Sequence, residues 1–499
     1  MSNDTRTLGR RVSVVAALAV LALAPKPSRK PAESVEQRRI AALLSALNSG
    51  SDTALKEFIE KNFASGALAR MPVEPRLRRL QGFAQEVAPL EMKKPLEPSP
   101  SGPGFVAQSK KTGRWYEIRL ELEPALPRGI VGVRIEDSDA SAMEPEPVLR
   151  SDADVAREAG RYVARLAGQD QFSGVVLLAR RGQPFFEKAY GSADREGRTE
   201  NTVATRFNVG SIDKVFTQVA IAQLASEGKL GLSDTVRKHL ADYPSKVADE
   251  ITILQLVNMS SGLGDVFNER YAEAAPRLRT LSDFLALFAD EPLLFPPGKS
   301  RAYSNAGYVV LGLIIEKVSG QSYHDYVREH IFAPAGMTAS GPSVRGSAES
   351  GRAIGYTRES EGAPPGNASA PLHPNTDALP GKSSSAGGGL STARDLLAFD
   401  QALASGKLLP PKWTAWMYSD KSGPPSDAAP AEKGGGLGFA GGTAGVNALV
   451  ESDNGMGYTI VVLANLDPPV AERLGARFRR WMKKVGVAGG EGAAVRRNS

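Results

Sequence analysis

The sequence contains no cysteine and only four histidines among its 499 residues. Without cysteine the chain forms no disulfide, binds no metal through thiolates and has no thiol nucleophile. His324 and His330 are six residues apart, which does not place both on one face of a helix. We therefore expect no metal and no cofactor, and we interpret all four histidines, including His239 and His373, as structural.

The excess of positive charge is also small. The formal net charge is +6, and the basic residues do not gather in one block, so a nucleic-acid partner is not expected.

The stretch FPPGKS lacks a phosphate-loop glycine, because Leu293 stands five residues before Gly298. No G-x-S-x-G motif is present, since Ser260 and Ser261 lack the upstream glycine. A small-molecule partner remains, and the oligomeric state is left open.

The longest apolar run lies near the N-terminus. It is VSVVAALAVLALA, from Val12 to Ala24, and Arg10 and Arg11 precede it. The run is too short to span a bilayer comfortably and is typical of a signal peptide. Pro25 would follow the cut and disfavours cleavage, so a retained membrane anchor is the alternative. We expect residues 1–24 to direct export to the periplasm or the medium.

The remaining chain divides into two units. A polar linker, 25–32, leads to a segment, 33–137, with three helical patterns followed by four alternating strand patterns. This predicts a small α+β accessory domain without a catalytic grouping. A Pro- and Glu-containing linker, 138–150, precedes the larger unit at 151–485, and the Gly- and Ala-rich tail, 486–499, is predicted to be disordered.

The larger unit begins with a helix and a strand hairpin and ends with strands and an amphipathic helix. Between them the pattern is helical from Ser211 to about Ser340, and a long surface excursion is predicted for 341–382. The last hairpin is predicted to turn at Asn454-Gly455. This order predicts one sheet, built from both ends of the unit around an inserted helical region.

A candidate nucleophile lies in the stretch GSIDK, where Ser211 and Lys214 are three residues apart at the start of a helix. Serine is a common helix cap, and a similar S-x-x-K from Ser226 to Lys229 closes a helix. Lys214, however, opposes the helix dipole and precedes apolar residues. Burial and the dipole should lower its pKa, and a neutral amine can take the proton of a serine hydroxyl.

Two other motifs complete the candidate site. Tyr303-Ser304-Asn305 is the only Tyr-x-Asn in the chain and precedes a helix predicted to begin near Ala306. Alone it indicates a capped turn, but with Ser211 and Lys214 it could complete a proton relay and position a substrate carbonyl. The stretch GLGFAGGTAGVNALV, 436–450, either forms a glycine-rich turn or lets a substrate lie along a strand edge.

These three motifs, in this order, resemble the serine β-lactamase and penicillin-binding-protein-like superfamily, especially its class C and esterase branch. The flanking segments ITILQLVNMSSGLGD and AGGGLSTARDLLAF support the resemblance, which covers about Asp152 to Lys484. It implies a β-lactamase/transpeptidase-like α+β fold: an antiparallel sheet flanked by helices, with an all-helical subdomain.

The resemblance also implies roles. Ser211 would be the nucleophile, Lys214 its base and Tyr303 a second proton-transfer group. Asn305 would position the substrate amide. The backbone N–H groups of Ser211 and Gly442 would form the oxyanion hole.

The third motif departs from the family pattern, K-T-G or H-x-G, since Phe439-Ala440-Gly441 stands there. The family's cation binds a substrate carboxylate, and its loss is worth roughly 1.5–3 kcal/mol, or about ten- to a hundredfold in recognition. We therefore expect an exported serine hydrolase that is esterase-like on small esters or amides. The alternatives are a D-amino-acid peptidase or β-lactamase, and a catalytically weak homologue that binds peptidoglycan peptides.

Overall fold

A computed structural model of the protein describes residues 34–99, 102–124, 127–138, 143, 147–347, 351–358, 371–425 and 435–495. The predicted signal or anchor, the linker 25–32 and most of the linker 138–150 lie outside the described residues. No helix of the described ranges combines the length and apolar character needed to cross a bilayer.

The helices are α1 (Val35–Asn48), α2 (Asp52–Asn62), α3 (Ser65–Arg70), α4 (Val73–Val87), α5 (Asp152–Gly168), α6 (Asp213–Ser226), α7 (Val236–His239), α8 (Ile253–Val257), α9 (Tyr271–Ala274), α10 (Leu281–Leu285), α11 (Asn305–Ser319), α12 (Tyr323–Val327), α13 (Ala333–Ala335), α14 (Ala393–Ala404), α15 (Pro411–Met417) and α16 (Val470–Val495). The strands are β1 (Leu90–Ser99), β2 (Gly102–Ser109), β3 (Trp115–Leu122), β4 (Ile130–Ser138), β5 (Gly174–Arg180), β6 (Gln183–Tyr190), β7 (Ser192–Asp194), β8 (Thr199–Glu200), β9 (Phe207–Asn208), β10 (Tyr356–Thr357), β11 (His373–Pro374), β12 (Leu390–Ser391), β13 (Gly438–Thr443), β14 (Val446–Asp453) and β15 (Tyr458–Ala464).

The N-terminal unit packs α1–α4 against an antiparallel sheet of order β1-β2-β3-β4. Ser34 and Ser51 cap the first two helices by accepting backbone N–H bonds, as their position before an apolar pattern predicts. Phe105 and Ile118 are fully buried in its core. The sequence predicts three helices, but α3 makes a fourth. Its six residues are too few to display a helical period.

The larger unit contains a five-stranded antiparallel sheet of order β13-β14-β15-β5-β6. Strand β15 pairs with β5, with Val461 opposite Leu177, so the two ends of the unit meet in one sheet as predicted. Leu177 faces the large core of the helical region, whereas Val176 packs in the core formed with α5 and α16. Both faces of β5 are therefore covered, which explains its uninterrupted apolar sequence.

The helical region is centred on α6 and α11. Phe216 of α6 packs edge-on against Phe332 and Phe399, with ring centroids 5.0 and 4.9 Å apart. At the end of α6, Gly228 adopts a φ of +73° and Lys229 pairs with Glu227. The structural interpretation of the second S-x-x-K is therefore confirmed.

A predicted surface excursion and a predicted hairpin turn differ from the sequence expectation. Tyr356, within the predicted surface excursion, is buried, and its hydroxyl accepts from the backbone N–H of Arg195 at 2.7 Å. The excursion is therefore partly core, and 359–370 lies outside the described residues. In the last hairpin Asp453 pairs with Tyr458, and the positive φ falls at Gly457. Four residues rather than two therefore form its loop.

Helix α16 continues to Val495, past the point at which the chain was expected to become irregular. Adding residues to an existing helix costs no new nucleation, which helps α16 to continue despite the low helix propensity of the glycines in this tail. Residues 496–499 lie outside the described residues. Earlier in α16, Arg480 binds Glu136 of β4 at 3.0 Å and Glu117 of β3 at 3.3 Å. This helix therefore contacts both sheets and joins the two units.

Candidate active site

Ser211 lies at the junction between a short strand and the central helix. After β9 the chain makes one 3-10 turn, Gly210–Ile212, and α6 begins at the next residue. Gly210 has a φ of +52°, which a side chain would disfavour, and its N–H donates to the Asn208 side chain at 2.9 Å. Ser211 therefore lies in the tight turn just before α6, and Lys214 is the second residue of that helix.

Lys214 is 3% exposed and makes three contacts through its Nζ atom. It donates to Oγ of Ser211 at 3.1 Å, to Oδ1 of Asn305 at 2.6 Å and to the carbonyl oxygen of Ala386. Burial lowers the pKa of Lys214 to about 7, although the negative charges of Asp213 and Asp265 oppose the shift. The amine is therefore neutral in a large fraction of molecules near pH 7.

The partners of Lys214 determine where its lone pair points when the amine is neutral. A carboxamide oxygen and a backbone carbonyl can only accept hydrogen bonds, so Asn305 and Ala386 take the two remaining N–H hydrogens. Ser211 is the one partner that can also donate. The lone pair is thereby directed at the Ser211 hydroxyl, as general-base activation requires.

Tyr303 completes the contact set of the serine. Its hydroxyl lies 2.5 Å from Oγ of Ser211, and its ring centroid is 4.9 Å from Nζ of Lys214. Burial raises the pKa of Tyr303, while the bond to Ser211 opposes the rise, so the phenol is protonated at neutral pH. The intervening Ser304 caps α11 by accepting from Gly307 N–H at 2.9 Å, which fixes Tyr303 before the helix.

Asn305 makes two contacts within the protein. Its Oδ1 accepts from Lys214, and its Nδ2 lies 2.9 and 3.0 Å from the two carboxylate oxygens of Asp265. From the sequence, a substrate amide is expected as the partner of Asn305, and Asp265 is not predicted at the site. That residue is 40 positions earlier in a glycine-containing turn, where no local spacing marks it as a partner.

Strand β13 lies beside the nucleophile because two glycines permit close approach. A Cβ on Gly441 would lie 2.1 Å from the carbonyl oxygen of Val209 and 2.7 Å from the nitrogen of Ser211. A Cβ on Gly210 would lie 3.1 Å from the nitrogen of Gly442. The segments that carry the two predicted oxyanion donors are therefore in contact.

The hairpin geometry also orients one donor. Thr443 and Val446 flank a two-residue turn, so the next pair, Gly442 and Asn447, falls at a position where ladder bonds are absent. The N–H of Gly442 then points away from β14, toward the open edge of the sheet.

A model of the beta-lactamase family matches residues 159–481, which is more than half of the chain. The chain belongs to the beta-lactamase family. The resemblance drawn from the motifs is confirmed, and so is the fold class.

Among curated proteins, the beta-lactamase-family chain is 33% identical over 251 residues to the putative penicillin-binding protein PbpX of Bacillus subtilis, covering 50% of this chain and 60% of that protein. It is 34% identical over 175 residues to penicillin-binding protein 4* of the same organism, covering 34% and 38%. The chain thus spans less than two thirds of the length of these relatives.

Solved structures share the fold. A penicillin-binding protein from Bacillus halodurans matches with a TM-score of 0.54 and 28% identity, over 63% of this chain and 98% of that one. The hydrolase EstCE1 matches with a TM-score of 0.52 and 22% identity, over 67% and 100%.

From the motif, Phe439 is expected at the position where the beta-lactamase family pattern has a cation. It lies two residues before Gly441, and side chains alternate along a strand, so both residues face the same side of β13. Phe439 is partly buried and packs against the core of the helical region.

Each histidine of this beta-lactamase-family chain bonds to another protein group. His239 contacts Asp234 at 2.9 Å, and Nε2 of His324 lies 3.0 Å from the carbonyl oxygen of Ser383. His330 contacts the Gln321 side chain at 3.2 Å, and His373 the carbonyl oxygen of Pro374 at 3.3 Å. Burial lowers the pKa of His324 to about 4, so it is neutral at pH 7. Within the described ranges no three His, Asp or Glu side chains are grouped to hold a metal.

Proposed function

We propose that the protein is a serine hydrolase that forms an acyl-enzyme on Ser211 and prefers neutral ester substrates. The observation that carries the proposal is the convergence on Oγ of Ser211 of a buried lysine amine at 3.1 Å and a phenol at 2.5 Å. A base and a proton carrier on one hydroxyl are what nucleophilic acyl transfer needs.

The proposed reaction has two halves. Oγ of Ser211 attacks the ester carbon as its proton passes to Lys214, and the N–H groups of Ser211 and Gly442 stabilise the oxyanion. The tetrahedral adduct collapses, the C–O bond to the alcohol breaks, and Tyr303 transfers a proton to the departing oxygen, receiving one from the lysine. A water then attacks the carbonyl carbon of the acyl-enzyme as its proton passes to the same proton-transfer groups. The bond to Oγ of Ser211 breaks, a proton returns to Oγ, and the acid is released.

The preference for neutral substrates rests on Phe439, because a phenyl ring cannot form a charge-assisted bond to a substrate carboxylate. Exposed apolar side chains near the site support an apolar substrate portion. Phe267 is 59% exposed and Tyr303 53% exposed. Phe267 follows Asp265 by two residues, and that carboxylate binds Asn305 beside the lysine.

The second candidate is a D-amino-acid peptidase or β-lactamase. Two curated relatives, 33% and 34% identical to this chain over the aligned residues, are named as penicillin-binding proteins, which supports recognition of acyl-D-amino-acid groups. A third candidate is a catalytically weak homologue that binds peptidoglycan peptides. A binding module has little need of the Ser211, Lys214 and Tyr303 cluster, which weighs against it.

Intact-mass measurement after incubation with a fluorophosphonate and with a penicillin distinguishes these candidates. With the fluorophosphonate we expect an adduct that is absent in Ser211→Ala. With penicillin we expect neither a stable adduct nor hydrolysis of the reagent. Adducts with both reagents favour the penicillin-recognising enzyme. The absence of any adduct in the folded protein overturns the mechanism.

The role of Phe439 has a separate test. Phe439→His restores the position to the H-x-G form of the motif, and we expect acylation by penicillin to become about ten- to a hundredfold faster. Unchanged acylation would contradict the assignment of this position to carboxylate recognition.

We also propose that the protein is exported. Support comes from the apolar run Val12–Ala24 behind Arg10 and Arg11. Fractionation of the producing cells with N-terminal sequencing tests this. A mature protein that begins at Pro25 indicates a cleaved signal, an uncut membrane-bound chain indicates an anchor, and an uncut cytosolic chain refutes export.

A further inference from the structure

Asp265 lies in the turn after α8, and its carboxylate contacts an amide rather than a basic side chain. Its two oxygens lie 2.9 and 3.0 Å from Nδ2 of Asn305, and Oδ1 also accepts from the backbone N–H of Phe267 at 3.2 Å. Asn305 is 6% exposed, so its amide has little access to water as a substitute partner. The orientation of this amide is therefore set by protein groups.

A carboxamide has a donating end and an accepting end, and only one of them suits a carboxylate. The carboxylate of Asp265 can only accept, so the NH₂ end of Asn305 must face it, and Oδ1 then faces Lys214. Without Asp265 the amide is free to rotate and to present an N–H to the neutral lysine. The lone pair of Lys214 would then accept from Asn305 instead of from Ser211.

We propose that Asp265 is a positioning residue for the general base: it fixes the Asn305 amide so that the lone pair of Lys214 is left for the Ser211 hydroxyl. This inference rests on the proposed function. It assigns a purpose to the Asp265 carboxylate and gives Asn305 a role in orienting the base in addition to its proposed role toward the substrate.

The carboxylate has a second, electrostatic consequence. The charged groups that act on Lys214 are Asp213 on its own helix and Asp265 on the opposing turn, and the neutral phenols of Tyr303 and Tyr308 face the same nitrogen. Asp265 raises the pKa of Lys214, so its removal should let the amine lose its proton at lower pH. This shift reports the charge of Asp265, whereas the rate reports the orientation of the amide, so the two effects are measured separately.

The experiment compares wild type, Asp265→Ala, Asp265→Asn, Asn305→Ala and the double variant Asp265→Ala/Asn305→Ala. Hydrolysis of p-nitrophenyl butyrate and the rate of fluorophosphonate labelling are measured from pH 5 to 9. We expect Asp265→Ala to lower kcat/KM by roughly ten- to a hundredfold, part of what a general base contributes. The acid limb of the pH–rate profile of this variant, over which activity rises with pH, should move to lower pH.

Asp265→Asn keeps an acceptor for Asn305 but no charge. The kcat/KM of Asp265→Asn should therefore be close to that of the wild type, while the acid limb of its pH–rate profile stays at the lower pH. In the Asn305→Ala background the Asp265→Ala substitution should cost almost nothing more, because no amide remains to be oriented. Asp290→Asn is the control: this exposed aspartate pairs with Arg270 and should leave the profile unchanged.

The inference is overturned if Asp265→Ala retains the wild-type rate and acid limb, or if it costs as much with Asn305→Ala as alone. It is also overturned if Asp265→Asn is as slow as the alanine variant. Failure of the proposed function looks different: the wild type would hydrolyse no ester. If the fluorophosphonate still labels Ser211, the pH dependence of the labelling rate in wild type and in the Asp265 variants would still report the effect of Asp265.

Discussion

The hydroxyl of Tyr303 lies 2.5 Å from Oγ of Ser211, the same atom that Nζ of Lys214 contacts at 3.1 Å. The two proposed proton-transfer groups therefore both contact the proposed nucleophile. Because Tyr303 is half exposed, it also borders the space that a leaving group must occupy. This position suits the delivery of a proton to a departing alcohol.

Tyr303→Phe removes this hydroxyl and leaves the ring in place. We expect kcat/KM for an activated ester to fall by roughly 10²- to 10⁴-fold, the usual contribution of a proton-transfer group, with little change in Tm. Tyr243→Phe is the matched control, since the Tyr243 hydroxyl is buried with no hydrogen-bond partner among the described residues. Equal activity of both variants would remove Tyr303 from the mechanism.

The protonation of Lys214 should set the acid limb of the activity profile. A general base must be neutral, so kcat/KM should rise with pH, reach half its maximum near the pKa of about 7 and level off above it. Lys214→Arg stays charged at all these values and should lose at least about 10²-fold of the activity. A flat wild-type profile between pH 5 and 8 would contradict the assignment of the base.

The local sequence predicted a site residue where that residue departs from the usual charge preference at the start of a helix. Lys214 stands against the helix dipole and next to apolar residues, and it is buried with a lowered pKa as expected, with desolvation as the main cause. The order of strand and helix patterns likewise predicted that both ends of the larger unit share a sheet, which the β5–β15 pair confirms.

What the sequence did not disclose are contacts made across long chain separations. Asp265 and the carbonyl of Ala386 reach the site from 40 positions before Asn305 and 172 positions after Lys214. Both lie in segments that support the family resemblance, but no local spacing predicts that either contacts the site. Short elements were missed for a related reason: α3 holds six residues, fewer than two helical turns, so it has no period to detect.

Gly441 should be intolerant of any side chain. A Cβ there would lie 2.1 Å from the Val209 carbonyl oxygen and 2.7 Å from the Ser211 nitrogen, so Gly441→Ala must push β13 away from the nucleophile turn. We expect a loss of roughly 10²-fold or more in kcat, because the oxyanion donors separate. Gly438→Ala, on the same strand with open space around its Cβ, should keep wild-type kinetics. Comparable losses in both would indicate a general effect on β13 instead.

Asp213 should make the stability of the protein depend on pH. It is 7% exposed, its carboxylate accepts from Gly389 N–H at 2.5 Å, and burial raises its pKa to about 7 from 3.8. Between these values the folded state binds more protons than the unfolded state, so the free energy of unfolding falls as pH rises through this window. Above it, the fold carries a buried carboxylate whose neighbour Lys214 has largely lost its own charge.

Asp213→Asn keeps an acceptor for Gly389 and removes that buried charge. At about pH 3, below the unfolded value of 3.8, the side chain at this position is largely neutral in the folded and unfolded states of both proteins, so their Tm values should nearly agree. At pH 8 the variant should melt several degrees higher, a shift that corresponds to about 1 kcal/mol or more. Its kinetic acid limb should also move to lower pH, because Asp213 raises the pKa of Lys214. An equal Tm difference at the two pH values would show that Asp213 does not titrate within the fold.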